Sequence, residues 1–460
     1  LEWNACSVAR RASHKMTMIK PESISYSYLL EKAWPIILAN AAAPLLGLVD
    51  TAVIGNVGSV IDLGAIAFGA LIFSFVYWSF GFLRMGTTGS VAQALGAGDQ
   101  SEIRAVLGRT LLLAVALGVL LIALQWPIRL VALSLLDGSA PVEAVTQQYF
   151  TIRIWGAPAT LAMFALTGVL IGLGNSRQLL LVQLLLNGLN ICLDLVFAGV
   201  LGWGVEGIAL GTIIAEWLAV IFATWLILRE LNARREPGAD FWPRARLLDM
   251  AQFTKMLAAN RDIMIRTLLL VFSFGFFINQ SAHFGDVVLA ANHILLQLIS
   301  FAAFFLDGYA FVVESLVGAS VGARRRDSFD MAVKRSSILA LVTAAALALL
   351  LLVFGDIFVA ILTDIELVQD AARNSLFLAA IYIFFSFAAF QLDGIFIGAS
   401  FTRQMRNAAF LSIAVYLAAW LLLKDRFGVN GLWWAMIIYV AARADALLLY
   451  FSALRKSIED

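Results

Sequence analysis

The chain has 460 residues, 62% of them hydrophobic and 14% charged, with 32 basic against 31 acidic side chains and a net charge of +1. Soluble domains carry about 25% charged residues, and the apolar residues here come in long blocks, which excludes a water-soluble globule. An outer-membrane barrel is excluded too, because its strands alternate apolar and polar with a period of two. A helical bundle in a bilayer remains, with no charge bias to suggest a nucleic-acid partner.

In chain order, residues 1–25 are polar and basic and lack the apolar run of a signal peptide. The chain does not begin with Met, and Met16 and Met18 lie nearby, so this tail is read as a misassigned start or a foreign leader. A regulatory tail is the alternative. A membrane helix needs roughly 20 mainly apolar residues. Such blocks fall at 32–55, 63–86, 106–128, 150–173, 179–202, 207–228, 263–282, 287–318, 336–356, 374–399, 408–423 and 431–451, which makes twelve spans. The eighth is long enough to tilt or to extend past the bilayer; the eleventh is short. The one long polar interruption, 229–261, contains Pro237, Gly238 and Pro243 and divides the spans six and six. The predicted organisation is an N-lobe over 26–228, a linker over 229–261, a C-lobe over 262–452 and a tail over 453–460.

Lys and Arg cluster in the tail (Arg10, Arg11, Lys15, Lys20), the linker, the 324–335 loop and the C-terminus (Arg455, Lys456). With twelve spans these all fall on one side, which the distribution of Lys and Arg makes cytoplasmic. The opposite loops carry mostly acids, among them Asp62, Asp137, Glu206, Asp286 and Asp364. Two cysteines (Cys6, Cys192) and three histidines (His14, His283, His293) show no disulfide or metal-ligand spacing. No phosphate-loop, HExxH or GxSxG motif is present, so nothing argues for an enzyme or a bound cofactor.

The halves repeat each other. Gly168-Val-Leu-Ile-Gly172 followed by Arg177-Gln178 recurs as Gly394-Ile-Phe-Ile-Gly398 followed by Arg403-Gln404. Gly204-Val-Glu-Gly207 recurs as Gly428-Val-Asn-Gly431, and Gly96-Ala97 as Gly322-Ala323. Six spans per half make the repeats parallel, a transporter arrangement in which substrate binds between halves that rock. Duplication without transport is the alternative.

A charge within a membrane helix is costly and asks for a reason. Asp50 lies deep in span one. Asn187, Asn190 and Asp194 recur at spacings of three and four along span five, hence on one face, and Thr212 on span six adds a hydroxyl. Two carboxyls close together in a dry site do not both ionise cheaply, so a proton is bound and released as the site changes exposure, with Asp50 the better candidate. A structural hydrogen-bonded pair is the alternative. Pro35 and Pro44 each remove a backbone hydrogen bond from span one and mark it as a bending element. Shifted by the repeat, Asp50 lands on Phe276 and Asp194 on Trp420, so the acids belong to one half. In the second half Asp307, Glu314 and Asp393, with Phe276 and with Arg84 or Arg266 as counter-ions, are candidate cavity residues. Buried ion pairs explain them equally well. Phe-rich stripes would suit flat cations through cation–π contact.

Residues 44–55, Leu83-Arg-Met-Gly-Thr-Thr-Gly89, Asn260-Arg-Asp-Ile-Met264 and Leu392-Asp-Gly-Ile-Phe-Ile-Gly398 resemble the DinF branch of the multidrug and toxic compound extrusion (MATE) transporters, over about 28–452. The resemblance implies a twelve-helix, two-lobed antiporter of the inner membrane that exports small organic cations against inward protons or sodium, without an obligate protein partner. It implies that Asp50, Asn190, Asp194 and Thr212 form a cation site and that Pro35 is the bending proline. The C-lobe sodium site of the NorM type, a Glu on helix seven and an Asp on helix ten, is not matched: span seven has no acid beyond Asp262, and Thr402 stands where the Asp would be. That departure favours proton coupling. The alternatives are sodium coupling at the same oxygens, a flippase for lipid-linked oligosaccharides, which would want a basic cavity, and a receptor without turnover.

Overall fold

The computed structural model describes residues 21–136, 138–235 and 240–458, and among them there are helices and no strands. In chain order the helices are α1 (Tyr26–Val57), α2 (Val60–Trp78), α3 (Phe82–Gly96), α4 (Gln100–Ala123), α5 (Gln125–Leu136), α6 (Ala140–Arg153), α7 (Ala157–Gly172), α8 (Ser176–Asp194) and α9 (Gly204–Ala233). They continue as α10 (Arg244–Leu247), α11 (Met250–Ala282), α12 (Asp286–Gly322), α13 (Arg326–Leu362), α14 (Glu366–Gly398) and α15 (Thr402–Lys456). A π-helical stretch, Leu195–Val200, follows α8 directly.

Ten helical segments among the described residues are long and apolar enough to cross a membrane, with α2–α3 and α6–α7 each counted as one. The last, α15, is two helices joined at Gly428, whose φ of 51° and ψ of −124° are not helical. With α1, 32 residues long, these elements make twelve. The helices outrun the apolar blocks that predict them; the eleventh span, short by hydropathy, opens at Thr402. A helix is ended by caps and glycines, whereas an apolar block ends where side chains meet polar headgroups, and the two need not coincide. The chain is an all-α, multi-pass membrane protein.

By compactness it divides into two units, one of residues 38–255 and one of residues 21–37 with 256–458. Helix α1 therefore begins in the second unit and ends in the first. The tail basics, Asp137, Pro237 and Gly238 lie outside the described residues. So does the side chain of Pro44.

Backbone geometry repeats with the sequence. Gly98 and Arg324, 226 residues apart, have φ of 76° and 53°; Gly174 and Ser400, at the same offset, have 71° and 59°. Each is followed by an N–H that closes the end of the preceding helix: Asp99 to Ala94 O, Arg325 to Ser320 O, Asn175 to Leu170 O and Phe401 to Phe396 O, all at 2.9–3.0 Å. This is the left-handed cap that stops a helix while satisfying its last carbonyls. The paired glycines of the repeat serve close approach. A Cβ on Gly168 would lie 2.5 Å from Arg84 O, and one on Gly394 would lie 2.5 Å from Ala310 O, which is Arg84 shifted by 226.

Candidate cation site in the first unit

Helices α8 and α9 meet across Gly211. A side chain there is excluded, since its Cβ would fall 2.6 Å from Asp194 Oδ1. The missing side chain lets the Asp194 carboxyl sit against the α9 backbone. Asp194 and Asn190 are both fully buried, and Asn187 and Thr212 nearly so. Asn190 Nδ2 donates to Thr212 Oγ1 at 3.1 Å, and Thr212 Oγ1 donates back along its own helix to Ile208 O at 2.8 Å. Asp50, on α1, is half-buried, and its carboxyl lies within hydrogen-bonding reach of Asp194. The predicted residues Asp50, Asn190, Asp194 and Thr212 thus come together, with Asn187 on the same face of α8.

Several acceptors of the cluster are unpaired among the described residues, as is one donor, Asn187 Nδ2. Asp50 Oδ1, both carboxylate oxygens of Asp194 and Asn190 Oδ1 are buried and accept no hydrogen bond among the described residues. Buried acceptors are rarely left so. Two touching carboxyls form a hydrogen bond only while one of them carries a proton, and the same oxygens suit a hard cation. The π-helical stretch begins one residue after Asp194; such irregular turns recur at functional sites.

Beside the site lies an ion pair that the sequence reading did not single out. Arg153, at the end of α6, grips Glu216 on α9 with both ends of its fork, Nη1 to Oε2 at 3.0 Å and Nη2 to Oε1 at 2.6 Å. Thr160 Oγ1 donates to Glu216 Oε2 at 2.9 Å. The rings of Phe73 and Tyr77 cover the guanidinium at 5.4 and 5.7 Å, and its charge reaches Asp50. Glu216 follows Thr212 by four residues, on the same face of α9. One signal was available in the sequence: Glu216 is the one acid inside the apolar block 207–228.

The other candidates are divided between the two units. Arg84 belongs to the first unit, whereas Asp307, Glu314, Asp393 and Phe276 belong to the second. Asp393 is held by two arginines, Arg266 and Arg443. Phe276 packs edge-on against Tyr416 and Trp420, at 5.5 and 6.5 Å between centroids. Glu314 is buried on α12. Pro35 is buried within the continuous helix α1, two residues before the boundary between the units.

Among the described residues no group of three or more His, Cys, Asp or Glu could hold a metal ion. Comparison with known proteins then decides the class. The MatE family profile matches residues 35–196 and again 263–419, one match in each half. The chain belongs to the MATE family. It is 36% identical over 419 residues to DNA damage-inducible protein F of Escherichia coli, covering 90% of this chain and 89% of that protein. It is 23% identical to the Thermotoga maritima protein named "Probable multidrug resistance protein NorM", covering 92% of this chain and 91% of that one. Its fold matches the crystal structure of the Vibrio cholerae MATE transporter VcmN in the bent form with a TM-score of 0.85, at 21% identity and over 94% and 97% of the two chains. As a MATE protein the chain is a membrane transporter and not an enzyme.

Proposed function

We propose that this MATE protein exports small organic compounds, cationic or lipophilic, in exchange for entering protons, with Asp50 as the main protonation site. The observation that carries the reading is the contact between Asp50 and Asp194, with three of their oxygens buried and accepting from no donor. A proton bound there supplies the missing hydrogen bond. Losing it leaves two carboxylates in contact, a state favoured only when the site opens to water. Proton occupancy and exposure are then linked, which is what an exchanger needs. Arg153, Glu216 and Thr160 hold the wall beside the acids. Pro35 and Pro44 let α1 bend as the site changes exposure.

In this proposal residues 26–228 and 262–452 are the two six-helix lobes, 229–261 is the linker, and both termini are cytoplasmic because the basic loops collect on that side. The working components are the bilayer, the drug-like substrate and the coupling ion. Sodium is the second reading, favoured by Asn190 Oδ1, a fourth buried oxygen with no donor.

The test is uptake of a fluorescent organic cation into proteoliposomes, driven by a proton gradient and, in parallel, by a sodium gradient. The wild-type chain responds to protons. Asp50→Asn abolishes transport while the protein still inserts and elutes as a single species. Full transport by Asp50→Asn would overturn the assignment, and a response to sodium alone would replace the coupling ion.

A further inference from the structure

In the second unit one carboxylate is shared by two guanidiniums. Asp393 on α14 accepts at one oxygen, Oδ2, from Arg266 on α11 and from Arg443 on α15, the latter at 2.6 Å. One carboxylate balances one guanidinium, so this trio carries a surplus positive charge. One turn before Arg266, Asp262 offers no relief. It is 1% exposed and already held by Arg406 at 2.8 Å and Arg261 at 3.3 Å.

Arg266 and Arg443 spend one nitrogen each on Asp393, and their remaining nitrogens bond no acceptor among the described residues. Those nitrogens are not sealed in: the two side chains keep 9% and 11% of their surface open. Further donors stand alongside. The Arg443 guanidinium lies 5.8 Å from the ring of Tyr439, and that ring is 5.2 Å from Tyr416, whose buried hydroxyl has no partner.

An unmatched guanidinium in a membrane segment is costly unless something neutralises it, and its planar fork fits a carboxylate or phosphate with two parallel hydrogen bonds. We infer that Arg266 and Arg443 form an anion subsite that takes the carboxylate, or another monoanionic group, of an aromatic amphipathic substrate whose ring lies toward Tyr439 and Tyr416. This extends the substrate class of the exporter to zwitterions and organic anions. It rests on the export reading only in calling the ligand a substrate. It is tested by equilibrium binding, with no gradient, so the failure of one leaves the other standing.

The probes are rhodamine 110, a flat dye with a free carboxylate, and rhodamine 123, its methyl ester, with binding to the detergent-purified full chain read by fluorescence anisotropy. The carboxylate dye binds about tenfold tighter, the worth of a hydrogen bond to a charged group, and excess benzoate removes that preference. Arg266→Gln and Arg443→Gln each leave Asp393 with one guanidinium. They bring the ratio of the two affinities close to one and leave that of the ester unchanged. Arg443→Lys, which keeps charge without the fork, retains an intermediate ratio. Equal affinities for the two dyes in the wild-type chain overturn the proposal whatever the variants do, as does a preference that survives benzoate or both Gln variants.

Discussion

In the first half, positions 50, 190 and 194 carry Asp, Asn and Asp; at the repeat offset of 226 they carry Phe276, Tyr416 and Trp420. Both sets come together. In the first unit the carboxyls of Asp50 and Asp194 lie within hydrogen-bonding reach of each other; in the second Phe276 meets Tyr416 and Trp420 edge-on, at interplanar angles of 79° and 82°. The helix after each set tells the same story at an offset of 224: Gly211, Thr212 and Glu216 on α9 correspond to Ala435, Met436 and Val440 on α15, all three of the latter buried and apolar. The shared fold asks only that these positions pack. Aromatic rings fill the spot without burying a charge, whereas buried carboxyls are expensive, so the acids of the first half are kept for something other than building the bundle.

The units differ as well in how they balance buried charge, and the largest expected effect breaks that contrast open. Arg153→Ala strands Glu216 without its only basic partner among the described residues and costs about 3–5 kcal/mol. Arg443→Ala leaves Asp393 paired with Arg266 and costs much less. Thermal unfolding of the two variants in detergent measures the difference, and equal losses would mean that charge balance does not distinguish the units. Next in size, Gly211→Ala imposes on the first unit what the second already has at Ala435. Its Cβ meets Asp194 Oδ1 at 2.6 Å, so overpacking of about 1–3 kcal/mol comes with a loss of transport. Ala435→Gly costs about 0.5–1 kcal/mol and leaves transport alone. Where the units agree, so do the variants: Gly168→Ala and Gly394→Ala both drive a Cβ against a carbonyl oxygen at 2.5 Å, and their losses of stability should match within error. Unequal losses would show that the repeat in backbone contacts does not extend to energetics.

The smallest effect concerns a feature of the first unit alone, at the end of its bundle. Burial would raise the pKa of Asp99, but the Arg246 guanidinium bonded to it and the N–H groups of Glu102 and Ser101 outweigh that and hold it below the ordinary carboxylate range. A depressed carboxylate stabilises the fold above its unfolded pKa of about 3.9 and loses that contribution as pH falls through its lower folded value. Asp99→Asn therefore lowers stability at pH 7 by under about 1 kcal/mol, since the pair is partly exposed. The difference from wild type vanishes only in strong acid. A gap that already closed near pH 5 would contradict the depressed value.

Much of the architecture is legible without coordinates. Twelve apolar blocks and a recurring glycine register follow from residue types, because hydrocarbon forces every spanning segment to satisfy its own backbone. The face shared by Asn187, Asn190 and Asp194 follows from helical spacing. The Arg153–Glu216 pair was not legible: its partners are 63 residues apart, and no local pattern ties the end of one helix to the middle of another. The same holds for Asp393, where the choice among Arg84, Arg266 and Arg443 depends on which helices are neighbours.

What the amino-acid order determined by itself, then, is the bundle, its duplication and the restriction of the acid pair to one half, since these rest on composition and periodicity. Tertiary packing alone decided which buried charges are matched. It left three carboxyl oxygens of Asp50 and Asp194 unpaired among the described residues and gave one carboxylate of the second unit two guanidiniums. The physical reason is that pairing depends on a few ångströms between distant helices, a distance that hydropathy and spacing do not encode.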